Sequence, residues 1–231
     1  MTSIDFYQPA YSPNGEFLKK VCPFFYHFWC DSLWHNAVPK DTAGLSYLDI
    51  GCADGLYLLR FMQRGGKSAC GVDPKIKASG FEYLKELYNP IQYIGIEGCV
   101  NKEGNIIPDV EPANIVNCMN MIEYTDDPYK CLETLLNKTI DRLIVTVDMG
   151  PKTGYSNKLN QWLFNKNEFV SKIPYPFIVW EENDLTYPQI ACVVVNKTNA
   201  IQPMPPGAIH CSTDITETQK YYLESIEVGN K

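Results

Sequence analysis

The chain is short of several things, and each shortage excludes something. No apolar run comes near the roughly 20 residues needed to cross a bilayer. The opening MTSIDFYQPA has neither the basic nor the apolar stretch of a secretory signal. Membrane insertion and export are therefore not expected. Histidine is scarce, three among 231 residues, so few side chains change charge near neutral pH. Positive charge is in deficit, with 20 Lys and Arg against 27 Asp and Glu and a formal net charge of −7. That balance disfavours bulk nucleic acid and anionic membrane as partners, although a local basic patch could override it. The nine cysteines, at 22, 30, 52, 70, 99, 118, 131, 192 and 211, include no CxxC pair. An odd, scattered set, partly inside apolar runs, points to buried reduced thiols and a cytoplasmic location. The sequons at Asn137 and Asn196 then read as chance matches. The Cys/His pairs 22/27 and 30/35 share a spacing, but the bulky aromatics between them favour packing, and no metal site is expected.

What the chain does have is a rhythm. Between residues 45 and 147 the short apolar runs SYLDI, ACGVD, QYIGI, NIVNCM and RLIVTV alternate with helical patterns. Near-continuous apolar runs of this length suit strands covered on both faces. GLYLLRFMQR and KIKASGFEYLKELY lie between the first three. In the second, Phe81, Leu84 and Leu87/Tyr88 recur at helical spacing. Strand and helix in alternation predict βαβ crossovers and a mostly parallel α/β sheet of Rossmann-like type, with helices on both faces. After Asp148 a polar loop, GPKTGYSN, precedes an expected helix over NQWLFNKNEFVSKI. PFIVWEE and QIACVVVN follow as strands joined by a short connection containing Asn183-Asp184, which predicts an antiparallel C-terminal edge. The expected organisation is an N-terminal helical, aromatic cap segment over 1–44, the α/β domain over 45–199, and a linker and tail over 200–231.

Residues 47 to 61, YLDIGCADGLYLLRF, form the candidate site. A strand that ends in Asp49 and turns through Gly51 and Gly55 into a helix lets a ligand approach backbone at the carboxyl edge of the sheet. A dinucleotide fingerprint requires GxGxxG, and the spacing here is GxxxG. Asp73 closes the second strand, about 20 residues after the turn, where a carboxylate can take both ribose hydroxyls. It could equally cap a helix that begins at Pro74. An acid, a glycine turn and a second-strand acid point to an adenosine-containing ligand without a pyrophosphate.

At these residues the sequence resembles the class I S-adenosylmethionine-dependent methyltransferases. LDIGCADG and GVDP are similar to that family's first two motifs, IVNCMNMIEYTDDPYKCLETL to its fourth-strand region, and RLIVTV to its fifth strand. WHNAVP from Trp34, GVDP and IGIE look like the branch that modifies the tRNA wobble uridine. The resemblance implies S-adenosylmethionine as cofactor. It places Asp49 and Gly51 beside the amino-acid part of that cofactor, and Cys52, Ala53 and Gly55 as its backbone floor. Asp73 falls at the ribose, Pro74, Ile96 and Glu97 at the adenine, and Met119 along the methionine arm. Ala53 stands where a glycine is commoner, and Tyr124 where a histidine is frequent.

The aromatic segment FFYHFWCDSLW reads either as one buried helix face or as a cap over the transferred methyl. Methyl transfer is an in-line displacement, so positioning and water exclusion are the main demands, and a base helps only when the acceptor carries a proton. His27, His35 and Tyr124 are the candidates for that catalytic role. The expected partner is a small-molecule or metabolite acceptor. An RNA acceptor or a regulatory protein that binds the cofactor without turnover are the alternatives, and oligomeric state is not legible.

Overall fold

The computed structural model describes residues 6–8, 10–14, 17–19, 24–76, 80–181, 189–198 and 201. His210, the tail beyond 201, the Asn183-Asp184 connection and the side chain of His27 lie outside the described residues. The chain divides into two compact units, one containing residues up to Glu97 and the other beginning at Gly98.

In the first unit, α1 (Phe24–Ala37) precedes β1 (Ser46–Ile50), α2 (Leu56–Gln63), β2 (Ser68–Asp73), α3 (Phe81–Leu87) and β3 (Ile94–Glu97). β1 pairs parallel with β2, Ser46 opposite Ser68 and Ile50 opposite Val72. β2 pairs parallel with β3, Asp73 opposite Glu97. The carboxyl ends of the three strands therefore share an edge. α2 is amphipathic, burying Leu56, Tyr57, Leu58, Leu59 and Phe61. Phe61 stacks on Tyr47 of β1 at 4.8 Å between centroids. Trp34 of α1 is fully buried. Its indole stacks on Tyr57 at 5.5 Å and donates to the Tyr47 hydroxyl at 2.7 Å. The Arg64 guanidinium lies 4.5 Å over the Trp34 ring and donates to the Val38 and Pro39 carbonyls at 2.9 and 3.1 Å. The aromatic residues of α1 from Trp34 onward thus act as core.

In the second unit, β4 (Ala113–Cys118) leads through α4 (Pro128–Lys138) into the long β5 (Thr139–Met149). The two strands are parallel, Cys118 opposite Val145. Asp127 caps α4, accepting the Lys130 amide, with Pro128 at the first helical position. After α5 (Lys166–Ser171) come β6 (Phe177–Glu181) and β7 (Gln189–Asn196). β7 is antiparallel to β5 along its whole length, and β6 is antiparallel to β7. The seven strands belong to one mixed sheet, mostly parallel, with the antiparallel edge that the sequence predicts.

Two local expectations change. The helix anticipated from residue 75 begins only at Phe81, because Asp73 accepts the Lys75 amide in a turn and Gly80 intervenes. The helix anticipated over 160–173 is instead a hairpin, Gly154–Ser156 with Gln161–Leu163, followed by the short α5. Gln161 and Leu163 are buried and Trp162 half-buried, a period of two that suits a strand. The Asn165 side chain then accepts the Glu168 amide and starts α5 late. Among the described residues no disulfide forms, and Cys52, Cys118, Cys131 and Cys192 are buried.

Gly71 of β2 fixes how closely this sheet meets the turn after β1. A Cβ there would stand 2.5 Å from Cys52 Sγ and 2.6 Å from Leu58 Cδ1. Gly71→Ala should therefore cost about 1–3 kcal/mol through overpacking, measured as a lower denaturation midpoint.

Candidate functional site

The turn Gly51–Gly55 leaves β1 at the shared carboxyl edge and enters α2. Gly51, Ala53 and Gly55 all adopt left-handed backbone, at φ 83°, 47° and 79°. Gly51 and Cys52 donate to the Val72 carbonyl at 2.8 and 3.3 Å, which pins the start of the turn to β2. Gly55 has no room for a side chain, since a Cβ would lie 2.7 Å from Phe81 Cε2. Ala53 holds the same backbone region with a methyl attached, which costs about 1 kcal/mol or more.

Asp73 takes hold of that turn. Its Oδ2 accepts the Ala53 amide at 3.0 Å, and Oδ1 accepts the Lys75 amide at 2.7 Å. An ionised carboxylate offers about four acceptor directions, so these two bonds leave capacity for a ligand's hydroxyls. Asp73 is half-buried, with its register partner Glu97 exposed beside it, Pro74 exposed and Ile96 half-buried. The remaining acceptor capacity of Asp73, beside the exposed Pro74 and half-buried Ile96, is compatible with a ligand that offers hydroxyls. Asp49 is buried in β1 opposite Gly71. Cys52 is buried too, and burial followed by the charges of Asp49 and Asp73 pushes its thiol well above the usual range. A thiol so raised is neutral and a poor nucleophile.

The sequence reading passed over Asp54, which is fully buried. Its Oδ2 accepts the amides of Tyr7 and Gln8 at 2.6 and 2.7 Å, and its Oδ1 that of Gly80 at 2.6 Å. Burial raises its pKa while these amides pull it down. Nothing local in the sequence marks it, because its partners lie 26 to 47 positions away.

The structure sets His35 elsewhere. Its Nδ1 meets the Arg64 guanidinium, and Arg64 follows the end of α2 remote from the glycine turn. Burial, Arg60 and Arg64 lower its pKa to about 2. His35 is thus a neutral packing partner and is not brought to the turn.

In the second unit, Met119 follows β4 and is 7% exposed. Asn120 takes left-handed backbone and donates its amide to Thr146 Oγ1 of β5 at 2.8 Å. A single helical turn, Ile122–Tyr124, then points its side chains apart: Tyr124 is 62% exposed and Glu123 2%. Tyr124 therefore presents its ring outward while Glu123 lies buried at the carboxyl ends of β4 and β5. Burial first, and the nearby Asp148 second, raise Glu123 to about 8. Burial also raises Asp148 to about 6, although the Gln161 amide donates to it. Among the described residues no group of His, Cys, Asp and Glu could hold a metal ion, and no helix is long and apolar enough to cross a membrane.

Comparison with known proteins places this geometry. Residues 24–175 match the family described as a methyltransferase domain. The chain is 23% identical over 154 residues to a tRNA U34 carboxymethyltransferase of Helicobacter pylori, covering 56% of this chain and 57% of that protein. It thus spans a little over half the length of that curated relative. Its fold matches magnesium protoporphyrin IX methyltransferase of Synechocystis PCC 6803, solved with bound S-adenosylmethionine, at TM-score 0.61 and 14% identity over 78% of this chain and 86% of that one. The [4+2]-cyclase SpnF matches at TM-score 0.57 and 12% identity, over 74% and 80%.

Two measurements follow from the geometry. Ala53→Gly should raise stability by about 1 kcal/mol in denaturant titration, by relieving the left-handed alanine. Burial pushes Glu123 up to about 8 in the folded chain, from the ordinary 4.5 of a free carboxyl, so its contribution is fully present at low pH and is lost as pH rises through 8. Glu123→Gln should flatten that decline between pH 5 and 8.5, by on the order of a few kcal/mol, seen in melting curves across the range.

Proposed function

The chain belongs to the methyltransferase domain family, and from that premise we propose that it is an S-adenosylmethionine-dependent methyltransferase acting on a small-molecule acceptor. One observation carries the reading: Asp73 ends β2 with its carboxylate on the Ala53 amide, at the rim of a left-handed glycine turn. When bound, the cofactor supplies an electrophilic methyl on a sulfonium sulfur. Asp73 is suited to hold the ribose, and Pro74 and Ile96 to flank the adenine, with Glu97 at its edge. Asp49 and Gly51 would lie beside the amino-acid portion, above a floor of Cys52, Ala53 and Gly55. Met119 is assigned to the methionine arm on the family resemblance alone. Tyr124 is the exposed hydroxyl after β4, and the protonated Glu123 behind it could exchange a proton with an acceptor that carries one.

The net charge of −7 and the paired carboxylates Asp73 and Glu97 support a small acceptor over a polyanion. The curated relatives favour the second reading, an RNA acceptor. A regulatory protein that binds the cofactor without turnover is the third, since a fold does not fix a function.

Asp73→Ala should weaken S-adenosylhomocysteine binding at least tenfold by calorimetry, because two hydroxyl contacts to a charged acceptor are lost. Unchanged affinity would remove the ribose assignment. With methyl-labelled cofactor, label should enter the low-molecular-weight fraction of a cell extract. Label in the RNA fraction, diminishing with added salt, would replace the small-molecule reading.

A further inference from the structure

We infer that Asp54 and residues 6–8 belong to the cofactor site: Asp54 is a positioning residue that latches an N-terminal strap across the glycine turn. The assignment rests on the adenosyl-cofactor reading of that turn. Asp54 sits between the two residues that define the turn's far end. The amide of Ala53, just before it, is held by Asp73, and Gly55, just after it, opens α2. The Asp54 carboxylate reaches the other way, to Tyr7 and Gln8 through Oδ2 and to Gly80 through Oδ1. One short peptide segment thus links the acid at the end of β2 to the strap.

The strap is fastened at three further points. Gln8 Oε1 accepts the Leu56 amide at 3.1 Å, the first amide of α2. Phe6 is 3% exposed and seats against Gly80, where a Cβ would stand 2.2 Å from its ring. The Tyr88 hydroxyl donates to the Tyr11 carbonyl at 2.9 Å. The contact at Leu56 has a chemical consequence. A helix N-terminus offers unpaired amides to an anionic or polar ligand, and here a neutral side-chain carbonyl from the strap already holds one of them. The strap therefore decides which donors of the turn a ligand meets. Hydrogen bonds to an ionised carboxylate are the strong kind, and a buried carboxylate deprived of its amides is costly. The latch and the turn are consequently in one arrangement together or not at all. Linkage then requires reciprocity: if docking of the strap strengthens cofactor binding, the cofactor must tighten the strap by the same factor.

The test uses the full chain with S-adenosylhomocysteine as probe. Saturating S-adenosylhomocysteine should slow hydrogen exchange at the Tyr7 and Gln8 amides, the two that donate to Asp54. Gln8→Ala should weaken binding roughly three- to tenfold, the range for one hydrogen bond, and should reduce that slowing. Asp54→Asn, which turns one acceptor oxygen into a donor facing backbone amides, should weaken it further. If Asp54→Asn does not fold, Gln8→Ala and the wild-type exchange measurement decide. A purely structural strap would give a lower melting temperature for Gln8→Ala with unchanged affinity, and exchange at residues 7 and 8 indifferent to the probe; that result overturns the inference. Failure of the wild-type chain to bind S-adenosylhomocysteine would instead overturn the cofactor reading on which the inference stands.

Discussion

The hydrogen bond from the Ala53 amide to the Asp73 carboxylate is the constraint on which the first unit turns. It ties the loop after β1 to the end of β2, and it does so only if the loop passes through left-handed backbone at Gly51, Ala53 and Gly55. The rest is consequence. Gly55 has no side chain because Phe81 of α3 occupies the space beside it, and Gly71 has none because Cys52 and Leu58 do. The neutral thiol of Cys52 follows from the same closeness, since burial and the flanking carboxylates disfavour its anion. One peptide bond further along, Asp54 repeats the device in the opposite direction, with backbone amides again as the donors. A turn strung between two carboxylates stays in place without any cation, because amide dipoles supply the positive ends.

How much of this was legible depends on how far apart in sequence the partners lie. The five strand runs and the glycine turn are local signals, and each appears where its pattern puts it. Asp73 was legible because the strand-end acid follows the turn at a fixed distance. Asp54 was not, although it sits inside the glycine turn itself, because its amide partners belong to residues 7, 8 and 80. The surroundings of His35 were hidden for the same reason: scarcity made it a candidate, and only the fold shows Arg64 beside it. The stretch 160–173 was read as one helix, its apolar residues being interspersed with polar ones. The competing signals, a strand of three residues and a capping Asn165, are too short to outweigh it in sequence. Nothing local in the sequence marks Glu123, since burial has no local code for a single acid.

Four of the chain's acids fall into two kinds. Asp73 and Asp54 accept backbone N–H groups. Such acceptors are suited to hydroxyls and amides. Glu123 is raised by burial first and by the nearby Asp148 second, and Asp148 by burial, against which the Gln161 amide works. Burial works against ionisation of both, and at Glu123 the Asp148 charge adds to it, so Glu123 reaches about 8 and Asp148 about 6. A methyl transferred from a sulfonium needs recognition of the donor in every turnover, but a proton acceptor only for some nucleophiles. Acids of the second kind would help only an acceptor whose attacking atom carries a hydrogen.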